Sequence, residues 1–180
     1  MTLIVATFLA LLTLAALVGI VVVVVLGAIG RLAPVRDVVA PGALWLAFLV
    51  ALTATAGSLY FSQVALLEPC SLCWYQRIAM YPLVLILGLA AWRADTGIRR
   101  YVAPLAAIGA LIAAYHVVLQ RLPGLPTVSC SLTAPCSAIE LERFGFVTIP
   151  FMALVAFLAI LTVLLGLVPR HDGFQEVADA

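Results

Sequence analysis

EPCSLCWYQRIAMYPLVLILGLA, residues 68–90, sets Cys70 and Cys73 at the mouth of an apolar run, with Arg77 one helical turn beyond the second thiol. The composition around this stretch fixes its setting. Of 180 residues, 66% are hydrophobic and 9% are charged, and mean hydropathy is +1.27. Soluble domains carry about 25% charged residues, so this chain lacks the material for an ordinary polar surface. It reads as an all-α integral membrane protein, and a net charge of +1 gives no footprint for nucleic acid.

A membrane-spanning helix needs about 20 apolar residues, and five stretches qualify: roughly 3–29, 43–66, 74–92, 101–120 and 147–168. Connections such as GRLAPVRDVVAPG (30–42) and RADTGIRR (93–100) are short, which makes neighbouring spans antiparallel. The expected architecture is an antiparallel four-helix transmembrane bundle over 43–168. One extra transmembrane helix precedes it within 1–30, and a cytoplasmic tail, 169–180, follows. The first span is read as a retained helix. MTLIV carries no basic residue, and the apolar run far exceeds the roughly 15 residues of a signal peptide.

Arginine placement sets the orientation. All nine basic residues are arginine. Arg31 and Arg36 lie in the first connection, Arg93, Arg99 and Arg100 in the third, and Arg170 in the tail, three segments that alternate onto one side. The other side has Arg121 and Arg143, with Arg77 just inside a helix. The arginine-rich side is therefore expected in the cytoplasm and the N-terminus outside. All four cysteines then share the outer face, Cys70 and Cys73 in a short turn, Cys130 and Cys136 in the longer loop 121–146. That is the oxidising side, where disulfides persist.

The pairs are spaced C-x2-C and C-x5-C, the latter as CSLTAPC (130–136). Four cysteines can close a tetrahedral zinc site, but zinc competes poorly where thiols are being oxidised, and no metal is expected. Two inert structural disulfides are a second reading, although a membrane bundle gains little from loop staples. The redox reading uses position. Cys73 falls in the first turn of a helix, where unpaired N–H groups and the helix dipole favour a thiolate. Arg77 lies four residues on, on the same face and about 6 Å along the axis. Permanently charged, it suits a Cys73 thiolate or a reduced, anionic ligand; its bland alternative is snorkelling to lipid phosphate. Trp74 and Tyr75 suit the interfacial aromatic belt. His116, in AAYHVVLQR, is the one histidine inside a span, hence a functional candidate or a helix–helix hydrogen bond. Gln63 is expected to pack or hydrogen-bond between helices. No GxGxxG or CxxCH motif offers an acceptor, whereas a flat, lipid-soluble quinone needs no large binding fold.

PCSLCWYQRIAMYPLVLILG, the spaced CSLTAPCS and FGFVTIPFMALVAFLAIL (144–161) resemble the DsbB family of disulfide-generating membrane proteins, in its BdbC-type form, over about 43–168. The resemblance implies a relay at a bacterial cell membrane. A thioredoxin-like DsbA/BdbD-type oxidase, once reduced, attacks a Cys130–Cys136 disulfide, with Cys130 forming the mixed disulfide. Cys136 then attacks Cys70 of a Cys70–Cys73 disulfide, and Cys73 passes electrons to ubiquinone or menaquinone of the membrane pool. Arg77 matches the family's quinone-associated arginine, and His116 a membrane histidine near the quinone. The close second pair and the extra first span depart from the better-known proteobacterial pattern. Two rivals stand beside this reading. One is a membrane scaffold with structural disulfides. The other is a transmembrane thiol reductase, whose thiols would lie within the spans, facing both sides. The vitamin K epoxide reductase family shares the chemistry but places its CxxC late in the chain.

Overall fold

The computed structural model describes residues 1–122 and 135–168; Cys130 and the expected tail lie outside these. Its helices are α1 (Thr2–Ala28), a short α2 (Ala33–Val39), α3 (Ala43–Leu59), α4 (Ser71–Arg93), α5 (Arg99–Arg121) and α6 (Ile149–Thr162). α3 and α6 each run on into one π-helical turn, Tyr60–Val64 and Val163–Leu167. Five helical stretches are long and apolar enough to cross a membrane. The protein is a multi-pass helical membrane protein.

Helices α3, α4, α5 and α6 close a four-helix bundle in which α3 also meets α6, and α1 lies outside it along α6. Small residues set the close approaches, as expected where lipid is as apolar as the side chains and only packing favours association. Ala43, Ala47 and Ala51 present one buried face of α3, and Ala106, Ala110 and Ala113 one face of α5. Gly109 of α5 sits beneath the fully buried Phe157 of α6, so close that a Cβ there would enter the ring's own space.

Local chemistry explains the boundaries. The 30–42 connection, expected as a Pro- and Gly-marked link, contains α2 and a 3-10 turn, Ala40–Gly42. Pro34 and Pro41 both occupy first-turn positions, where the missing N–H costs nothing. α4 starts three residues before the expected 74. Extended Cys70 (φ −69°, ψ 170°) is its N-cap, so Cys73 falls in the first turn as the spacing predicts. α4 ends at Ala94, which takes the left-handed conformation (φ 52°) usual for such a cap.

One element is absent from the sequence reading. β1 (Glu142–Arg143) and β2 (Val147–Thr148) form a small antiparallel hairpin, pairing Glu142 with Thr148 and Arg143 with Val147. Phe144 and Gly145 both take positive φ, 55° and 76°, as a type I′ turn requires. The hairpin is tied to the end of α5. Arg121 donates to the Phe146 carbonyl oxygen at 3.0 Å and pairs with Glu142 at 3.4 Å. Gln120 Nε2 donates to the Ala138 carbonyl oxygen at 3.1 Å. These contacts lay residues 135–148 across the same end of the bundle that carries Cys70 and Cys73.

Candidate functional site

The fold brings three of the four cysteines and His116 to one place. Cys70 and Cys73 are free thiols with their sulfurs 3.2 Å apart, and Cys136 is disulfide-bonded. Cys130 lies outside the described residues. Cys70 and Cys136 share a buried cluster with Leu72 and Leu119. His116, 1% exposed, stands between them: Nε2 lies 3.0 Å from the Cys136 carbonyl oxygen and 3.7 Å from Cys70 Sγ. A carbonyl oxygen only accepts, so Nε2 carries a proton. On the other side of the ring, Nδ1 is 3.0 Å from the amide nitrogen of buried Gln76, from which it accepts.

The Cys70 thiol is held down at about 4, against an ordinary 9.0. The largest cause is the Cys73 S–H donating to it; burial pushes the other way, and the His116 contact lowers it further. Glu140 is largely exposed, but partial desolvation of its carboxyl, followed by the negative charges of the Cys70 thiolate and Glu68, raises it. The ligand atoms of Cys70, Cys73 and His116 lie within 4.8 Å of one another, three of the four groups a tetrahedral zinc needs. His116 Nε2, however, spends its N–H on a backbone carbonyl, and Nδ1 is occupied by Gln76. No imidazole lone pair is left facing the sulfurs in this arrangement.

Two cavities meet at Cys73. The smaller, about 40 Å³, is bordered by Cys70, His116, Gln120 and Pro135. The larger, about 300 Å³, runs down between α1, α3, α4 and α6 and is walled mainly by aliphatic side chains. Cys73, Glu68, Glu140 and Ile149 border both. Arg77 lines the larger one, held by Ser58 of α3. Its Nε donates to Ser58 Oγ at 3.0 Å and an Nη to the Ser58 carbonyl oxygen at 3.2 Å. Its carbon Cζ lies 5.3 Å from the Trp74 ring centroid, a cation–π contact. Among the described residues no carboxylate pairs with it; the one ion pair is Arg121 with Glu142. One turn on, the buried Tyr81 hydroxyl has no hydrogen-bond partner, and Tyr81 also lines the large cavity.

The expected site residues therefore divide. Cys73 and Arg77 face the large cavity, while Cys70, Cys136 and His116 gather on the thiol side. His116, expected near a quinone, borders only the smaller cavity. Trp74 and Tyr75 are exposed, as belt residues are. Gln63 is exposed too, and among the described residues its side chain hydrogen-bonds to its neighbour Ser62, at 3.5 Å, rather than to another helix. Sequence reasoning missed Ser58, Gln76, Tyr81 and Glu140. Tyr81 had a usable signal, since it follows Arg77 by four residues on the same helix face. Ser58 and Gln76 had none, because their partners are remote in sequence.

Residues 41–167 match the family model described as "Disulfide bond formation protein DsbB". Disulfide bond formation protein C of Bacillus subtilis (strain 168) is 50% identical over 119 residues, 66% of this chain and 86% of that one. The probable disulfide formation protein C 1 of Bacillus anthracis is 47% identical over 119 residues, covering the same 66% and 86%. The probable disulfide formation protein of Coxiella burnetii (strain Dugway 5J108-111) is 46% identical over 115 residues, 63% of this chain and 78% of that one. No solved structure matches. With its cysteine pair at a helix mouth and its family match covering the whole bundle, the chain belongs to the DsbB family of disulfide bond formation proteins.

Proposed function

We propose that this protein is a thiol:quinone oxidoreductase of the bacterial cell membrane that reoxidises a thioredoxin-like, DsbA/BdbD-type oxidase. The observation that carries this reading is the position of Cys73, on the boundary between the thiol cluster and the large apolar cavity. The four-helix unit over 43–168 carries the chemistry, and its cysteine end faces the extracytoplasmic side, opposite the arginine-rich connections.

In the relay, a partner thiolate attacks Cys130 of a Cys130–Cys136 disulfide, and Cys136 leaves as thiolate. Cys136 attacks Cys70 of a Cys70–Cys73 disulfide, and Cys73 leaves as thiolate. The partner's second thiol then attacks its own mixed disulfide, departing oxidised and freeing Cys130. Cys130 re-forms its bond to Cys136 and releases Cys70. The net change is one dithiol oxidised on the partner and one gained at Cys70 and Cys73. A low-pKa Cys70 is a good leaving group in the last exchange. His116 anchors the Cys136 backbone against Cys70, and Gln76 fixes the ring that does so.

The large cavity fits a quinone. Its volume reaches the lower end of the roughly 300–1,000 Å³ range of ligand pockets, and its walls are mainly apolar. Arg77 and Tyr81 offer donors suited to carbonyl oxygens, while the carboxylates of Glu68 and Glu140 border the part shared with the smaller cavity. Arg77 and the unpartnered Tyr81 hydroxyl would hold it beside Cys73. When bound there, a quinone would supply the oxidant for the Cys70/Cys73 dithiol, accepting its two electrons and two protons so that the Cys70–Cys73 disulfide is restored. Ser58 keeps the guanidinium of Arg77 turned toward the cavity.

The test is direct. Purified protein, supplied with a reduced thioredoxin-like partner and a soluble ubiquinone or menaquinone analogue, is expected to reduce the quinone in proportion to partner disulfide formed. Cys136→Ala is expected to trap the partner on Cys130, visible on a non-reducing gel. Thiol oxidation without quinone reduction, or a trapped adduct on Cys70, would overturn the acceptor or the order respectively.

A further inference from the structure

Helix α1 lies outside the residues that match the family model, yet it supplies part of the large cavity's wall. Leu9, Leu12, Thr13 and Ala16 all line it. Their spacing of three and four places them on one helix face. Only Ala6, Ala10 and Thr13 of α1 are buried, at the same helical spacing, and α1 runs along α6. Leu9 reaches across to α3, where a Cβ at Gly57 would stand 2.9 Å from its Cδ1. α1 thus bridges α6 and α3 over the lipid-facing side of the cavity.

We propose that α1 is a substrate-selecting wall that contacts the hydrocarbon substituent of a lipid quinone. The inference rests on the quinone reading of this cavity and extends it. The chemistry of the four side chains makes the assignment. Three are aliphatic, and the one hydroxyl, on Thr13, is already donated to the Leu9 carbonyl oxygen at 2.8 Å. α1 therefore offers no group to a quinone carbonyl; those come from Arg77 and Tyr81 of α4. It offers apolar surface beside small residues, Thr13 and Ala16, that leave room for a chain. A DsbB-family bundle without such a helix would leave this side of the cavity open to lipid.

The experiment compares a decyl-substituted quinone with a tailless analogue of the same ring in wild type, Ala16→Trp and Thr13→Trp. Val22→Trp, on the exposed face of α1, is the control. Filling the wall is expected to raise KM for the decyl quinone about tenfold or more, the scale on which pockets discriminate by a few methylenes. KM for the tailless quinone, kcat and the control should change far less. Equal KM shifts for both quinones, or none, would overturn the assignment. Should the tryptophan variants fail to fold, photolabelling of the wild type decides: a probe on the quinone tail is expected to mark residues 9–16. Labels confined to α3 and α6 would overturn it. Wild-type protein that reduces neither quinone would remove the quinone reading itself, an outcome distinct from both.

Discussion

His116 donates its Nε2 proton to the carbonyl oxygen of Cys136 across 3.0 Å, joining the interior of α5 to the cysteine loop. The bond holds Cys136 beside Cys70, and Gln76 on α4 completes it from the other side of the ring. A backbone acceptor makes the contact independent of whether the Cys136 sulfur is oxidised. His116 can therefore hold the Cys136 backbone in place whatever the state of its sulfur.

His116→Ala is expected to slow electron transfer between the cysteine pairs and to leave the quinone KM near wild type. Removing one partner of a buried hydrogen bond costs about 1–3 kcal/mol, so a decrease of roughly fivefold to 150-fold in single-turnover exchange is the expected scale. The measurement is stopped-flow oxidation of the reduced partner with and without quinone. A change confined to quinone KM would place His116 with the acceptor.

Arg77→Ala is expected to act on the other side, raising the quinone KM. A charge-assisted hydrogen bond contributes about 1.5–3 kcal/mol, or roughly 10- to 150-fold. Arg77→Lys should recover only part of this, since an ammonium cannot reproduce the planar fork. Ser58→Ala should give a smaller rise, because it frees the guanidinium without removing it. Steady-state titration with quinone separates the three.

Reduced protein should show a Cys70 that stays reactive in acid. An acid whose pKa is lowered is ionised at every pH above that lowered value, so a Cys70 near 4 is thiolate across the neutral range. Its alkylation by iodoacetamide should fall only as pH drops toward 4. Cys73→Ala removes the largest cause of the shift and should move the midpoint up toward that of an ordinary thiol. A midpoint near 9 in the wild type would contradict the site geometry.

Gly109→Leu is expected to destabilise the bundle, because its side chain would occupy the space of the Phe157 ring. Overpacking of this kind typically costs about 1–3 kcal/mol. Thermal aggregation in detergent should show a lower midpoint, and Gly109→Leu combined with Phe157→Ala should recover part of the loss.

The sidedness in the proposal is testable without turnover. In intact cells treated with a membrane-permeant reductant, an impermeant maleimide should reach Cys130 or Cys136. A cysteine introduced at Arg99, with the native four replaced by serine, should stay unlabelled until lysis. Labelling of position 99 from outside would place the thiols in the reducing cytosol and end the proposed role.

The sequence by itself determined the five spans, because length and hydropathy suffice when every backbone polar group must be paired inside its own helix. It also placed Cys73 in the first turn of α4 and Arg77 one turn below, since both are local consequences of helical spacing. It did not show the β-hairpin, whose strands are two residues each and too short for a period-2 pattern. Only the tertiary structure decided which side chains share a cavity: that Ser58 holds Arg77, that Gln76 and the Cys136 carbonyl hold His116 on the thiol side, and that α1 closes a wall. The physical reason is the solvent. In water, an apolar stripe marks the buried face of a helix; in lipid, buried and exposed faces are equally apolar, so helical periodicity carries no record of which face meets which neighbour. Packing of small residues such as Gly57, Gly109 and Ala10 settles that choice, and it is visible only once the helices are assembled.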